Sequence, residues 1–281
     1  MNQPQIPQIP LSDVTRYIFA PRFLSQRHAV DAAGLRHLVQ LLFACLFIML
    51  ILSGLVGVII SSVLGSVPDN VNQTLGQSDP RMLLLMGILI APVIEELMFR
   101  SWLGGPRAAI LGLPILAAAL AVLATVGVDL LPSVSFGLAI VLALLILAVA
   151  RQYASQTTER QSIARRHLFP YAFYGSAILF ALLHLSNYEG GLSSPIMLLA
   201  VLPQAIVGLL LGYVRMRFGI LAAIVFHAVY NSFLIGLFLV AQTLAAPIDA
   251  APTDTAETAT AETAQNLPTT LLALVAGGLP A

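Results

Sequence analysis

The chain has 281 residues, 58% of them hydrophobic and 9% charged, and its formal net charge is zero. So apolar a chain excludes a water-soluble globular domain, whose surface needs polar cover. The charge balance excludes a nucleic-acid partner held by a basic surface.

Residues 1–37 mix Pro, Arg and Gln with short apolar pieces, unlike a cleavable signal peptide with its basic start and continuous apolar core. Apolar runs of about 18 residues or more then read as membrane-spanning helices. Seven are expected, at 38–64, 82–104, 108–128, 133–150, 168–186, 195–214 and 219–242. Gly104-Gly105-Pro106, Leu131-Pro132-Ser133 and Gly190-Gly191 supply the breaks. Residues 243–266 form a low-complexity, mildly acidic linker expected to be disordered. The apolar piece at 267–281 is either an eighth span or an interfacial helix. The expected fold class is therefore all-α, a polytopic transmembrane helix bundle of seven to eight spans.

All thirteen basic residues are arginine. Threading the chain alternately through the bilayer collects all but Arg81 on one side. By the positive-inside rule this side is cytoplasmic and includes the N-terminus. An integral protein of the cell membrane is expected. The single cysteine, Cys45, excludes an intrachain disulfide and a cysteine-based metal site.

Few ionisable residues lie well inside the spans: Glu95 and Glu96 in the second, His184 in the fifth and His227 in the seventh, with Arg100 and Asn231 close by. Each ionised group in lipid costs roughly 3 kcal/mol on insertion scales, so such residues face a bundle interior and pair there. Glu96 and Arg100 are four apart on one helical face and form an acid-first ion pair. Glu95, turned about 100° away, is left free to face a cavity. His227 and Asn231 project together, which suits two donors aimed at one oxygen, and the Phe180 ring packs one turn below His184. Plain structural readings exist for each: a neutralised Glu–Arg pair, and His or Asn as interhelical hydrogen-bond donors. Glu95 is the residue that packing explains least. His28, His37 and His167 are expected at the surface, in polar or arginine-rich flanks.

These residues spell "EELMFR" (95–100), "FALLH" (180–184) and "HAVYN" (227–231). In that order, on separate helices, they resemble the E-E-x-x-x-R, F-x-x-x-H and H-x-x-x-N motifs of the CAAX protease and bacteriocin-processing family of intramembrane endopeptidases. The resemblance covers residues 82 to 240. It departs from the family in Ser101, where glycine is common, and in the long passage from Arg100 to His184. That passage reads as an inserted helical hairpin at 108–150.

The resemblance implies an endopeptidase acting on peptide or membrane-protein substrates within the bilayer. Glu95 would be the general base and His184 would help hold the water. His227 and Asn231 would donate to the oxyanion, with Glu96, Arg100 and Phe180 in support. No cofactor is expected, because the histidines lack the H-E-x-x-H spacing of a zincin. The alternative is a zinc-dependent form with Glu95, His184 and His227 as ligands. A transporter using the same groups as a relay, or a non-catalytic immunity-type protein, are the readings from other classes. Finally, Glu95 and His184 must meet at one depth, which at 1.5 Å per residue requires either a long fifth helix that begins outside the hydrocarbon, in the cytoplasmic headgroups, or residues 185–193 that remain buried.

Overall fold

The computed structural model describes residues 9–24, 27–66, 79–104, 158–188 and 195–245, and every regular element among them is helical. Among the described residues, four helices are long and apolar enough to cross a membrane: Ala32–Leu64, Pro80–Arg100, Met197–Phe218 and Ile220–Leu244. We label the elements α1 (Ser12–Phe19), α2 (Ala32–Leu64), α3 (Pro80–Arg100), α4 (Thr158–Leu183), α5 (Leu202–Phe218) and α6 (Ile220–Ala245). The expected hairpin at 108–150 and the C-terminal segment at 267–281 lie outside the described residues. So does the expected linker beyond Ala245, where α6 ends.

Local chemistry explains most of the boundaries. The α2 helix starts six residues before the expected span because the Asp31 carboxylate accepts the Gly34 N–H at 2.8 Å, an N-cap. It ends at Gly65, whose φ of 80° stops the helix in a left-handed turn. Asp79 caps α3 in the same way, through the Arg81 N–H at 2.8 Å, and Pro80 opens its first turn. Along α2, large apolar side chains such as Phe43, Phe47, Leu50 and Ile51 point outward while Leu41, Cys45, Met49 and Ile60 are buried. A helix apolar on both faces suits a bilayer.

The centre of the bundle is α4 against α5. A Cβ built on Gly208 would sit 3.1 Å from the Ala177 Cα, and one on Gly212 would sit 2.7 Å from the Phe173 ring. Four residues forward on α5 thus match four residues back on α4, so the two helices run antiparallel. Their close approach depends on small residues at the crossing. The α4 helix begins at Thr158, ten residues ahead of the apolar run itself. A sharp turn at Gly219, φ 104°, reverses the chain from α5 into α6. The α3 helix packs on α6 and α4, and the turn Trp102–Gly104 that follows it packs on α5.

The N-terminal segment is docked onto the bundle. Val14 and Tyr17 of α1 are buried in the core. Asp13 accepts hydrogen bonds from Arg217 Nε at 2.9 Å and the Tyr213 hydroxyl at 3.0 Å. His37, expected at the surface, is buried: its Nδ1–H donates to the Ile9 carbonyl and its Nε2 meets the Tyr213 hydroxyl, both at 3.0 Å. The segment around Ile9 covers it, which no local pattern announces. Burial pushes the Asp13 carboxyl up, but the Arg217 and Tyr213 hydrogen bonds outweigh it and hold it below the ordinary carboxylate range.

Candidate active site

One helix, α3, carries Glu95, Glu96 and Arg100, all buried. Glu96 Oε1 accepts from Arg100 Nη1 and from His227 Nδ1, each at 3.1 Å. The ion pair expected from spacing is present, and it has a third member from α6. Arg100 also reaches the Gly208 carbonyl of α5 at 3.4 Å and lies 4.1 Å over the Phe180 ring, a cation–π contact.

Glu95 points to the other side of the same imidazole. Its Oε2 stands 3.6 Å from His227 Nε2 and has no hydrogen bond among the described residues. His227 therefore bridges both glutamates. Because its Nδ1–H donates to Glu96, Nε2 faces Glu95 as a lone pair in the neutral ring and as an N–H in the imidazolium.

His184 is oriented by its own helix. Its Nδ1–H donates to the Phe180 carbonyl at 2.7 Å, leaving Nε2 as the outward nitrogen. The Phe180 ring lies 4.6 Å from the His184 ring and 5.9 Å from that of His227, so one aromatic ring touches both.

Asn231 has a backbone partner that the sequence did not announce. Its Nδ2 donates to the Gly87 carbonyl at 2.8 Å. Residues Leu85–Ile90 of α3 form a π-helical turn in which the Ala91 N–H bonds back to Met86. The next bond of that pattern would run from residue 92 to Gly87, but residue 92 is proline and has no N–H. Pro92 leaves the carbonyl open and Asn231 closes it. One amide N–H is thereby committed, and a second remains.

Two further groups finish the end of α3, whose last carbonyls lack helical partners. Ser176 Oγ donates to the Phe99 carbonyl at 2.6 Å, and Arg215 Nε donates to the Arg100 carbonyl at 3.1 Å. Sequence reasoning missed both. Ser176 gives no signal on an apolar helix, and Arg215 reads as a flanking charge.

Residues 77–233, more than half of the chain, match the model of the Rce1-like family, described as type II CAAX prenyl endopeptidase Rce1-like. The chain belongs to this family. The match contains all three motifs and every side chain of the polar cluster. Neither a curated protein nor a solved structure matches the chain. The Rce1-like assignment and the four apolar helices make it an integral membrane protein of a protease family. Donor chemistry in this Rce1-like site is of a kind zinc accepts, with a carboxylate and two imidazole Nε2 atoms. Their placement does not fit: among the described residues no three His, Cys, Asp or Glu side chains stand close enough to hold a metal ion.

Proposed function

We propose that the protein is an intramembrane endopeptidase that uses Glu95 as the general base for a water molecule. The observation that carries this reading is the unequal treatment of the two glutamates. Glu96 has its charge matched by Arg100 and His227. Among the described residues Glu95 has only the 3.6 Å approach of His227 Nε2, so it is the carboxylate with capacity left for chemistry.

Charge counting supports the same division. Two carboxylates and one guanidinium leave the cluster one negative charge in excess. A single proton shared between Glu95 and His227 balances it, and a shared proton can move during catalysis. Glu95 takes a proton from water as the hydroxide attacks the peptide carbonyl, with His184 Nε2 accepting the water's second hydrogen. The oxyanion receives His227 Nε2–H and the remaining amide N–H of Asn231. Glu95 then returns the proton to the departing amine, giving a carboxylic acid and an amine from peptide and water.

Peptides or membrane proteins, prenylated at their C-termini as the family description has it, are the proposed substrates. The chain as a whole is read as seven or eight spans with the N-terminus cytoplasmic, in the plasma membrane.

The test is cleavage of a prenylated peptide by purified protein in lipid nanodiscs. Glu95→Gln should fold normally and lose about 10²- to 10⁴-fold in rate. Cleavage unchanged by Glu95→Gln would refute the assignment. The zinc-dependent alternative predicts that exhaustive chelation abolishes activity and that zinc restores it. The metal-independent reading predicts no effect of either treatment.

A further inference from the structure

Gln204, near the start of α5, is 3% exposed, and neither its Oε1 nor its Nε2 has a hydrogen-bond partner among the described residues. It is the one buried side chain among them with two polar atoms left open in this way. A buried amide without partners is costly, and native interiors hold few such groups. Packing alone would be served better by an apolar side chain of the same size.

Helix register places this amide beside the polar cluster. Gly208 lies against Ala177 and Gly212 against Phe173. On the same antiparallel crossing Gln204 comes opposite Ala181, three residues before His184. Side chains tilt toward the N-terminus of their helix, which carries the His184 ring back toward that level. Gln204 also shares a face of α5 with Gly208, four residues on. The Gly208 carbonyl takes Arg100 Nη2 at 3.4 Å, while Arg100 Nη1 holds Glu96 at 3.1 Å. Gln204 therefore stands one turn, about 6 Å of helix, from the depth of the Glu96 carboxylate.

Chemistry narrows the occupant. Ala181 opposite, and Ala200 and Val201 one turn back, are buried and apolar, so the amide has no charge to answer. What it lacks is a donor for Oε1 and an acceptor for Nε2 at once. An anion would serve only the nitrogen, and a cation only the oxygen. One residue of an extended peptide presents its N–H and its C=O on the same edge, as in the close pair of an antiparallel ladder. Gln204 is no more enclosed than Glu95, which is 6% exposed. An opening that admits a peptide to the base uncovers the amide one turn away.

We propose that Gln204 is a substrate-binding residue whose amide pairs with the backbone N–H and C=O of one extended substrate residue, holding the chain beside Glu95 and His184. The inference rests on the endopeptidase reading above. Because the contact is to backbone, it fixes the path of the peptide without reading its side chains.

The experiment measures cleavage of a prenylated peptide in nanodiscs beside a set of analogues. In each analogue one residue within two of the scissile bond is replaced by its α-hydroxy acid, the scissile bond itself being spared. That exchange swaps a single backbone N–H for an oxygen. Wild type should lose about tenfold in kcat/KM, mainly through KM, on the analogue that faces Gln204. Gln204→Met should cut the parent peptide about tenfold more slowly and treat that analogue and the parent alike. Its unfolding midpoint should equal or exceed that of wild type, because a side chain of similar volume replaces an unpartnered amide. A purely structural Gln204 gives the reverse, a lower midpoint or an ester sensitivity that persists in the variant, and either result overturns the proposal. Wild type that tolerates every analogue overturns it without any variant and leaves the endopeptidase reading standing. Absence of Glu95-dependent cleavage of the parent peptide would overturn that reading and this proposal with it.

Discussion

Removing either partner of the Glu96–Arg100 pair should be much more damaging than removing both. Each side chain is fully buried and their contact is 3.1 Å. Breaking a buried pair costs about 3–5 kcal/mol, mostly from the charge left behind, whereas replacing the whole pair is often near neutral. The two single variants should also differ. Glu96→Gln strands a guanidinium against the Gly208 carbonyl at 3.4 Å and the Phe180 and Phe99 rings at 4.1 and 5.6 Å, and it cannot deprotonate. We expect the full loss of about 3–5 kcal/mol. Arg100→Met leaves a carboxyl that still has the His227 Nδ1–H at 3.1 Å and can neutralise itself by taking a proton. Its loss should be about 1–3 kcal/mol. The double variant should lie within about 1–2 kcal/mol of wild type. Equilibrium unfolding in mixed lipid–SDS micelles reads all four proteins. Additive losses in the double variant, or a larger loss from Arg100→Met than from Glu96→Gln, would refute the reasoning.

Further outcomes follow from other contacts. Asn231→Ala should lose about 1–3 kcal/mol by orphaning the Gly87 carbonyl, and adding Pro92→Ala, which restores an N–H, should recover part of it in the same unfolding assay. Gly212→Ala should destabilise by about 1–3 kcal/mol, since the new Cβ would lie 2.7 Å from the Phe173 ring; Gly57→Ala, with nothing within 4 Å, should be neutral or slightly stabilising. Because the folded Asp13 carboxyl lies below its ordinary value, its contribution is complete above about pH 4 and is lost as acid protonates it. Hydrogen exchange in α1 should therefore accelerate only on the acid side of about pH 4, while Asp13→Asn exchanges fast at neutral pH.

Ionisable groups in apolar helices are conspicuous because lipid gives them no other excuse. Glu95, Glu96, Arg100, His184 and His227 could be read from the chain for that reason, and spacing predicted the Glu96–Arg100 pair. What sequence could not supply was the third dimension of the same contacts. His227 bonds Glu96 as well as facing Glu95, a choice made by how α6 lies on α3. Asn231 was expected to aim at a substrate oxygen, and one of its two amide hydrogens also answers a missing backbone N–H on another helix. Gly87 and Pro92 carry no signal until the π turn brings them into play. Arg215 looked like one more flanking charge, since its burial depends on where α3 ends. His37 looked solvated because the stretch that covers it lies 28 residues away.

The Asn231–Gly87 bond has a wider meaning for how such a bundle keeps its alignment. In lipid, apolar side chains gain little by meeting one another rather than acyl tails, so hydrophobic packing resists sliding only weakly. A shift of α6 along α3 by one residue, about 1.5 Å, would exchange one set of leucines for another at small cost. It would also pull an amide off its carbonyl and an imidazole off its carboxylate. The polar contacts thus act as a vernier between greasy rods, setting to a fraction of an ångström a depth that the surrounding membrane would leave free.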